Sequence, residues 1–233
     1  IEYHGHESWV RALGFSPDGE TFLTGGYDGR LVWWPAAAEK PTVIRSVDAH
    51  EGWIRALSVS PDGSLVATAG NDLLVKVWNL ADGSLVHSLA GHPRYPYNVA
   101  FHPDGKALVS GDLMGNLYHW EVSSGKKIRE FKSESLSKFD NGFKADIGGF
   151  RGLEFNANGS VLAGSGITNV SNAFAGVGEP AVVRFDWESG KQTIQHESKG
   201  KLKGVAWNLA LHPEGFTIAA CGGSGGGFLL FWK

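Results

Sequence analysis

The sequence predicts an all-β chain made of repeated four-stranded antiparallel sheets, and three observations predict it. First, residues 48–83, DAHEGWIRALSVSPDGSLVATAGNDLLVKVWNLADG, contain three short runs rich in Val, Leu and Trp. These are Ile54 to Val59, Leu65 to Ala69 and Leu74 to Trp78, separated by Ser60-Pro61-Asp62-Gly63 and Gly70-Asn71-Asp72. Pro at the second turn position presets φ, and Gly at the fourth accepts left-handed backbone, so the tetrapeptide turns tightly between antiparallel strands. A fourth run, Leu85 to Leu89, completes a meander. Second, the unit recurs: residues 6–34 and 92–120 keep its spacing from His to turn to Trp, with His6, His50 and His92 each nine residues before Phe15, Val59 and Phe101. Weaker copies surround Asn156-Ala157-Asn158-Gly159, ending at Phe185-Asp186, and His212-Pro213-Glu214-Gly215, ending at Trp232. Third, the turn glycines Gly19, Gly63, Gly105, Gly159 and Gly215 stand 44, 42, 54 and 56 residues apart, one period lengthened twice by insertions.

With that period the chain resembles the WD-repeat family of β-propellers, whose repeat of about 40–45 residues makes one four-stranded blade, with Gly-His near its start and Trp-Asp near its end. The resemblance is strong over 5–132, moderate over 146–195 and weaker over 201–233. It implies an all-β propeller with five WD-type blades, at 5–47, 48–89, 90–132, 146–197 and 201–233. It also implies a buried hydrogen-bond tetrad in two repeats: His6, Thr24, Asp28 and Trp34, then His50, Thr68, Asp72 and Trp78. The third repeat keeps His92, Ser110 and Trp120 but has Met114 in the Asp column, which breaks the network there. No repeat ends in a literal Trp-Asp, since Asn79, Glu121 and Lys233 follow three of the tryptophans. The last repeat has three strands, and Ile1-Glu2-Tyr3 match only the tail of an outer strand. Because open sheet edges invite aggregation, the expectation is a domain fragment whose missing blades belong to the same parent chain, most naturally a seven-bladed ring.

Composition narrows the function classes. With 233 residues, 42% of them hydrophobic, the chain can bury a core without a disulfide or a metal. Gly at 33 residues suits a chain that turns every eight to twelve residues. A net charge of −3 gives no support to nucleic acid or an anionic membrane as partner. The single Cys221 cannot form an intramolecular disulfide, which fits a reducing compartment but is nearly as common in bacterial exported proteins. No apolar run approaches eighteen residues, so no membrane span is expected.

Taken in order, the first repeat runs to about Val47, with its outer strand at Thr42 to Val47 after a connector, 35–41, bounded by two prolines that limit any helical turn. The second repeat ends at Leu89, and the third ends with an outer strand at Lys127 to Phe131. Then regularity breaks. Residues 132–146 (KSESLSKFDNGFKAD) are polar and long for a connection, and in the fourth repeat the turn between second and third strands swells to 166–179. In WD-type blades these two connections emerge on one face, so the insertions should be neighbours. The fifth repeat puts Gly222-Gly-Ser-Gly-Gly-Gly227 in the equivalent second loop, expected to be flexible and exposed.

Catalytic and metal signals are thin. His6, His50 and His92 belong to the repeat, and His102 and His212 open turns of the SPDG type. No HExxH spacing exists, so no protein-ligated metal is expected. Gly222 to Gly226 fit GxSxG, but a nucleophile elbow runs into a helix and this segment runs into a strand. Neither nucleotide-binding glycine motif occurs in a usable context, so no cofactor is expected. Asp18, Asp62 and Asp104 are isolated turn formers without calcium-loop spacing. Asn158-Gly-Ser160 and Asn169-Val-Ser171 are sequons.

The informative signal is positional. Trp9, Trp53 and Tyr95 follow the loop histidines by three residues, and Arg11, Arg55 and, in repeat four, Arg151 stand two residues further on. The resemblance places these near the mouth of the central channel, on the insertion-bearing face. Aromatic and Arg side chains are enriched in binding hot spots because they bury large area with few rotors and make forked charge-assisted bonds. The competing reading has Trp9 and Trp53 packing between blades and the arginines pairing with Glu7 and Glu51. Glu154 falls where other repeats have Gly14, Ser58, Ala100 and Ala210, and is expected to face the channel, because burial without a partner would cost several kcal/mol. The favoured function is non-catalytic: a scaffold for a protein or peptide partner on the face bearing 133–147 and 166–180. The alternatives are a propeller hydrolase or lyase using Glu154, His196 or Asp146, and a purely architectural domain of a larger protein.

Overall fold

The computed structural model describes residues 1–40, 42–172, 177–198, 202–223 and 225–233. Strands appear where the Val, Leu and Trp runs stand. The first sheet is ordered β1 (Val10–Phe15), β2 (Thr21–Gly26), β3 (Arg30–Pro35), β4 (Arg45–Asp48), and the second β5 (Ile54–Val59), β6 (Leu65–Gly70), β7 (Val75–Asn79), β8 (Leu85–Leu89). The third contains β9 (Pro96–Phe101), β10 (Ala107–Asp112), β11 (Asn116–Glu121) and β12 (Lys127–Lys132). A 3₁₀ turn (Glu134–Leu136) leads to a two-stranded hairpin of β13 (Ser137–Asp140) and β14 (Ala145–Gly148). The fourth four-stranded sheet comprises β15 (Gly152–Phe155), β16 (Val161–Asn172), β17 (Val177–Asp186) and β18 (Gln192–Glu197). The last, three-stranded, has β19 (Val205–Leu211), β20 (Thr217–Gly223) and β21 (Gly226–Trp232). Apart from the two-stranded hairpin, each sheet is an antiparallel meander of the WD-blade type.

The chain divides into two compact units, one of residues 1–110 and 119–128, the other of 111–118 and 129–233. In the first, Ala12, Leu23, Leu31, Trp33, Ile54, Val66 and Trp78 form a buried cluster that joins the first sheet to the second. The inner strands approach closely: a Cβ added to Gly14 would lie 2.5 Å from Leu57 Cδ1. In the second unit the corresponding cluster is Ala163, Val182, Ala206, Leu209, Ala219 and Cys221, and burial pushes the Cys221 thiol up to about 11, which keeps it a protonated, unreactive small hydrophobe.

The SPDG turns close as their chemistry predicts. Ser60 Oγ donates to Asp62 at 2.6 Å and accepts from the Leu65 amide at 2.9 Å, while Gly63 takes φ +72°. His102 and His212 substitute for Ser by accepting the amides of Asp104 and Glu214 on Nδ1, both at 3.2 Å.

A repeated clamp ties outer strands to the next sheet. Arg45 Nη1 donates to Ala81 O at 2.9 Å, and His87 Nε2 lies 2.9 Å from Val122 O. Arg129 Nη1 donates to Glu188 O at 2.7 Å, and Arg129 Nη2 donates to Trp187 O. These three residues occupy one column at intervals of 42 residues, and each catches carbonyls in the hairpin between the third and fourth strands of the following sheet.

Three sequence expectations are corrected here. Residues 132–146 do not form an open polar loop: Ser137 to Asp140 pair with Ala145 to Gly148, and Asp140 Oδ1 accepts the Gly142 and Phe143 amides at 2.9 and 3.0 Å. The 166–179 insertion lengthens a ladder, with Gly166↔Ala181 through Thr168↔Glu179 and then Asn172↔Val177 across an irregularity where Asn169 takes φ +49°. Pairing satisfies backbone groups that a loop would leave to water, and the stretch buries Ile167 and Val170 on one side while exposing Asn169. Residues 173–176 lie outside the described residues. In the fifth sheet Gly222↔Gly227 and Gly223↔Gly226 continue the ladder where a loop was expected, and Gly223, Gly226 and Gly227 are exposed as expected. Ser224 of the GxSxG string lies outside the described residues. The two insertions are neighbours, as expected: Lys138 Nζ donates to Val170 O at 2.6 Å, and Ile147 packs on Ile167 and Val170.

Candidate partner-binding site

The site is positioned by the buried networks beneath it. In the second repeat Trp78 Nε1 donates to Thr68 Oγ1 at 2.9 Å, His50 Nε2 stands 2.7 Å from that hydroxyl, and His50 Nδ1 lies 2.8 Å from Asp72 Oδ1. Because the Asp72 carboxylate can only accept, the proton of the neutral His50 ring sits on Nδ1, which leaves Nε2 to accept from the Thr68 hydroxyl. Burial pushes the His50 pKa down against the opposing pull of Asp72, so the ring stays neutral. Burial pushes the Asp72 carboxyl up, but the His50 hydrogen bond and charge, the Leu74 amide and Lys76 outweigh it and hold it below the usual range. The first repeat repeats the geometry: Trp34 to Thr24 at 2.8 Å, His6 to Thr24 at 2.7 Å and His6 to Asp28 at 3.0 Å. Both tetrads are thus formed as the resemblance implied. Gly70 is required beside one of them, since a Cβ there would meet His50 Nδ1 at 2.1 Å.

In the third repeat His92 Nε2 lies 2.6 Å from Ser110 Oγ, which also accepts from Trp120 Nε1 at 2.8 Å. Met114 fills the column of Asp28 and Asp72. Two residues earlier, Asp112 is fully buried and accepts the amides of Met114 and Asn116 at 2.8 and 3.0 Å. The repeat therefore retains a buried carboxylate at a shifted position, which an aligned-column reading overlooks.

Each tetrad fixes the loop from which an aromatic side chain projects. Trp9 is 78% exposed and stacks on Tyr27 (ring centroids 6.1 Å apart, planes at 29°). Tyr27 stacks on Trp53 at 4.0 Å and 5°, and Trp53 remains 41% exposed. The Arg55 guanidinium lies 5.1 Å from the Trp53 centroid, 4.3 Å from that of Tyr97 and 5.5 Å from that of Tyr95. Its Nε donates to Asn71 Oδ1 at 2.6 Å. Trp9, Tyr27, Trp53, Arg55, Tyr97 and Tyr95 thus make one continuous column across the first three repeats, all within the first unit. Tyr95 is 39% exposed and Arg11 is exposed.

For Trp53 the packing alternative holds in part, since its ring stacks on Tyr27 of the preceding repeat while remaining 41% exposed. Trp9 is too exposed to be a wedge between sheets, and Glu7 stands 3.7 Å from Arg30, an ion pair that the sequence reading did not foresee. Arg151 belongs to the second unit, where its guanidinium lies 5.9 Å from the centroid of Trp207, itself 48% exposed. Sequence reading missed Tyr27, Tyr97 and Trp207. The last two occupy the column of Arg11, Arg55 and Arg151, so a search for "Arg or aromatic" at that position would have found both.

The residues weighed for catalysis are dispersed in role. Glu154 is half-buried, and its Oε2 accepts the Leu211 amide at 3.1 Å, so its carboxylate is paired with the neighbouring inner strand rather than buried bare. Burial raises its pKa against that hydrogen bond. Ser58, in the same column, accepts the Phe101 amide at 3.3 Å, showing that the position links neighbouring inner strands. His196 stacks on Trp232 at 5.3 Å and 21°, with burial and then Arg184 lowering its pKa. Asp146 lies on β14, in register with Phe139. Among the described residues no group of three or more His, Cys, Asp or Glu is placed to hold a metal, and no helix is long and apolar enough to cross a membrane.

Comparison with known proteins agrees with the geometry. A family model described as "WD domain, G-beta repeat" matches residues 1–35, 41–79 and 83–121. A Lissencephaly-1 homolog from Caenorhabditis briggsae is 28% identical over 108 residues, 46% of this chain and 27% of that protein. Protein groucho from Drosophila melanogaster is 26% identical over 133 residues, 56% of this chain and 18% of that protein. The matched region thus spans well under a third of either relative. Three consecutive matched repeats, two complete His-Thr-Asp-Trp tetrads and four-stranded antiparallel sheets lead to one conclusion: the chain belongs to the WD-repeat family.

Proposed function

We propose that the chain is a non-catalytic scaffold that holds a protein or peptide partner, and that the partner docks on the column of Trp9, Tyr27, Trp53, Arg55 and Tyr95, with Arg11 at its margin. The observation that supports this reading most strongly is the column itself: stacked rings and a guanidinium, held rigid by one another, with three of the rings more than a third exposed. Such surface loses little entropy on binding and offers several hydrogen-bond donors beside large apolar area. The Arg151–Trp207 pair of the second unit is proposed as a further contact surface. Further sheets of the same kind, from the same parent chain, are proposed to cover the exposed apolar residues Leu13 and Phe15 of the first sheet and Leu229 and Phe231 of the fifth.

The test is partner capture followed by mass spectrometry with wild type, Trp53→Ala and Arg55→Ala. A partner held by wild type should bind each variant more weakly by over about 1 kcal/mol, with melting temperature little changed. Full retention of every captured partner by both variants would remove the column from consideration.

A further inference from the structure

Resting on the docking column just described, we propose that its ligand is a proline-rich segment in the polyproline II conformation. Three properties of the column select this chemistry. The first is its polar inventory. The indole N–H groups of Trp9 and Trp53 have no protein acceptor among the described residues, and they stand on the same surface as the Arg55 guanidinium. Indole and guanidinium donate and cannot accept, and the phenolic hydroxyls of Tyr27, Tyr95 and Tyr97 can donate as well as accept. A polyproline II segment is the complementary case, because proline lacks an N–H and the backbone carbonyls make no internal hydrogen bonds.

The second property is spacing. Successive steps along the column measure 6.1, 4.0, 5.1 and 4.3 Å, so alternate members stand up to about 10 Å apart. A polyproline II helix repeats every three residues at ~3.1 Å each, or roughly 9 Å, so prolines three apart would meet alternate members. The third is rigidity. Tyr27 is held between two indoles and Arg55 is held by Asn71, so the surface suits a ligand that is itself pre-ordered. Charge complementarity points to no stronger rival: exposed Arg11 and Arg94 are offset by exposed Glu7 and Glu51.

The experiment is fluorescence anisotropy on the 233-residue chain with three labelled peptides of equal length, made of repeated Ala-Pro-Pro, Ala-Gly-Ser and Ala-Glu-Glu units. The Ala-Pro-Pro peptide should bind saturably and at least about tenfold tighter than either comparator, and should lose about tenfold or more on Trp53→Ala and on Trp9→Ala. Trp9 is 78% exposed, so its removal leaves the fold intact, which circular dichroism checks. Equal binding of Ala-Pro-Pro and Ala-Gly-Ser, tighter binding of Ala-Glu-Glu, or Ala-Pro-Pro binding unchanged in both variants would each overturn the proposal. If Ala-Pro-Pro fails while Trp53→Ala and Arg55→Ala still weaken the captured partner, the proline chemistry is wrong and the docking column stands. If the captured partner is also unaffected, both readings go.

Discussion

Thr68 shows how much of the fold hangs on single side chains. Its hydroxyl is fully buried and accepts from Trp78 while facing His50 Nε2, so Thr68→Val keeps the shape but strands two buried polar groups. Each stranded group costs about 1–3 kcal/mol, so the substitution should lower unfolding free energy by about 2 kcal/mol or more, as denaturant titration would show. The same network sets the acid response. His50 has its folded pKa below its unfolded value near 6.5, so its contribution is present above that pH and is lost as pH falls through the folded value. Asp72 and Asp28 are held below 3.8, so theirs is lost at lower pH still. Melting temperature should therefore fall in two stages on acidification, the first starting near pH 6.5; a flat profile from pH 7 to 5 would contradict the neutral, buried His50. Glu154 has the opposite sign. Its raised pKa makes the charged form unfavourable in the fold, so Glu154→Gln should raise the melting temperature slightly at neutral pH and change nothing near pH 4. The tetrads could be placed beforehand only through the family resemblance, which carried over to residues that keep the repeat's spacing. Asp112 could not be, because it reaches buried amides from two residues outside the aligned column.

Among the elements, the regular strands were legible because apolar runs and SPDG turns reinforce each other, whereas the insertions were misread. Length and polarity suggested loops, yet Asp140-Asn141-Gly142 is a hairpin turn, and residues 166–168 are paired and buried in the ladder. The outer-strand clamp was also invisible beforehand, because Arg45, His87 and Arg129 share a donor function without sharing a residue type. Arg129 makes two carbonyl bonds and lies 4.4 Å from the Trp187 ring centroid, while Arg45 makes one and lies 5.8 Å from Trp33. Arg129→Ala should therefore cost about 1–3 kcal/mol and Arg45→Ala less. Equal effects of the two on unfolding free energy would show that the clamp geometry does not govern how firmly adjacent sheets are held.

For the whole molecule, periodicity carried the fold, since five copies of one sheet-forming unit are visible without coordinates. The column proposed as a docking surface was only half visible. Trp9, Arg11, Trp53, Arg55 and Tyr95 follow from the repeat, but Tyr27 and Tyr97, which join them into one stack, sit at positions where other repeats carry different residues. Stacking depends on ring placement across repeats, and no single repeat encodes it. That column is the central claim, and the nine tryptophans provide its most direct test, because each indole N–H gives one NMR signal. On titration with the captured partner, the Trp9 and Trp53 signals should shift while the buried Trp34, Trp78 and Trp120 signals stay in place. Unmoved Trp9 and Trp53 signals at saturation would contradict the account.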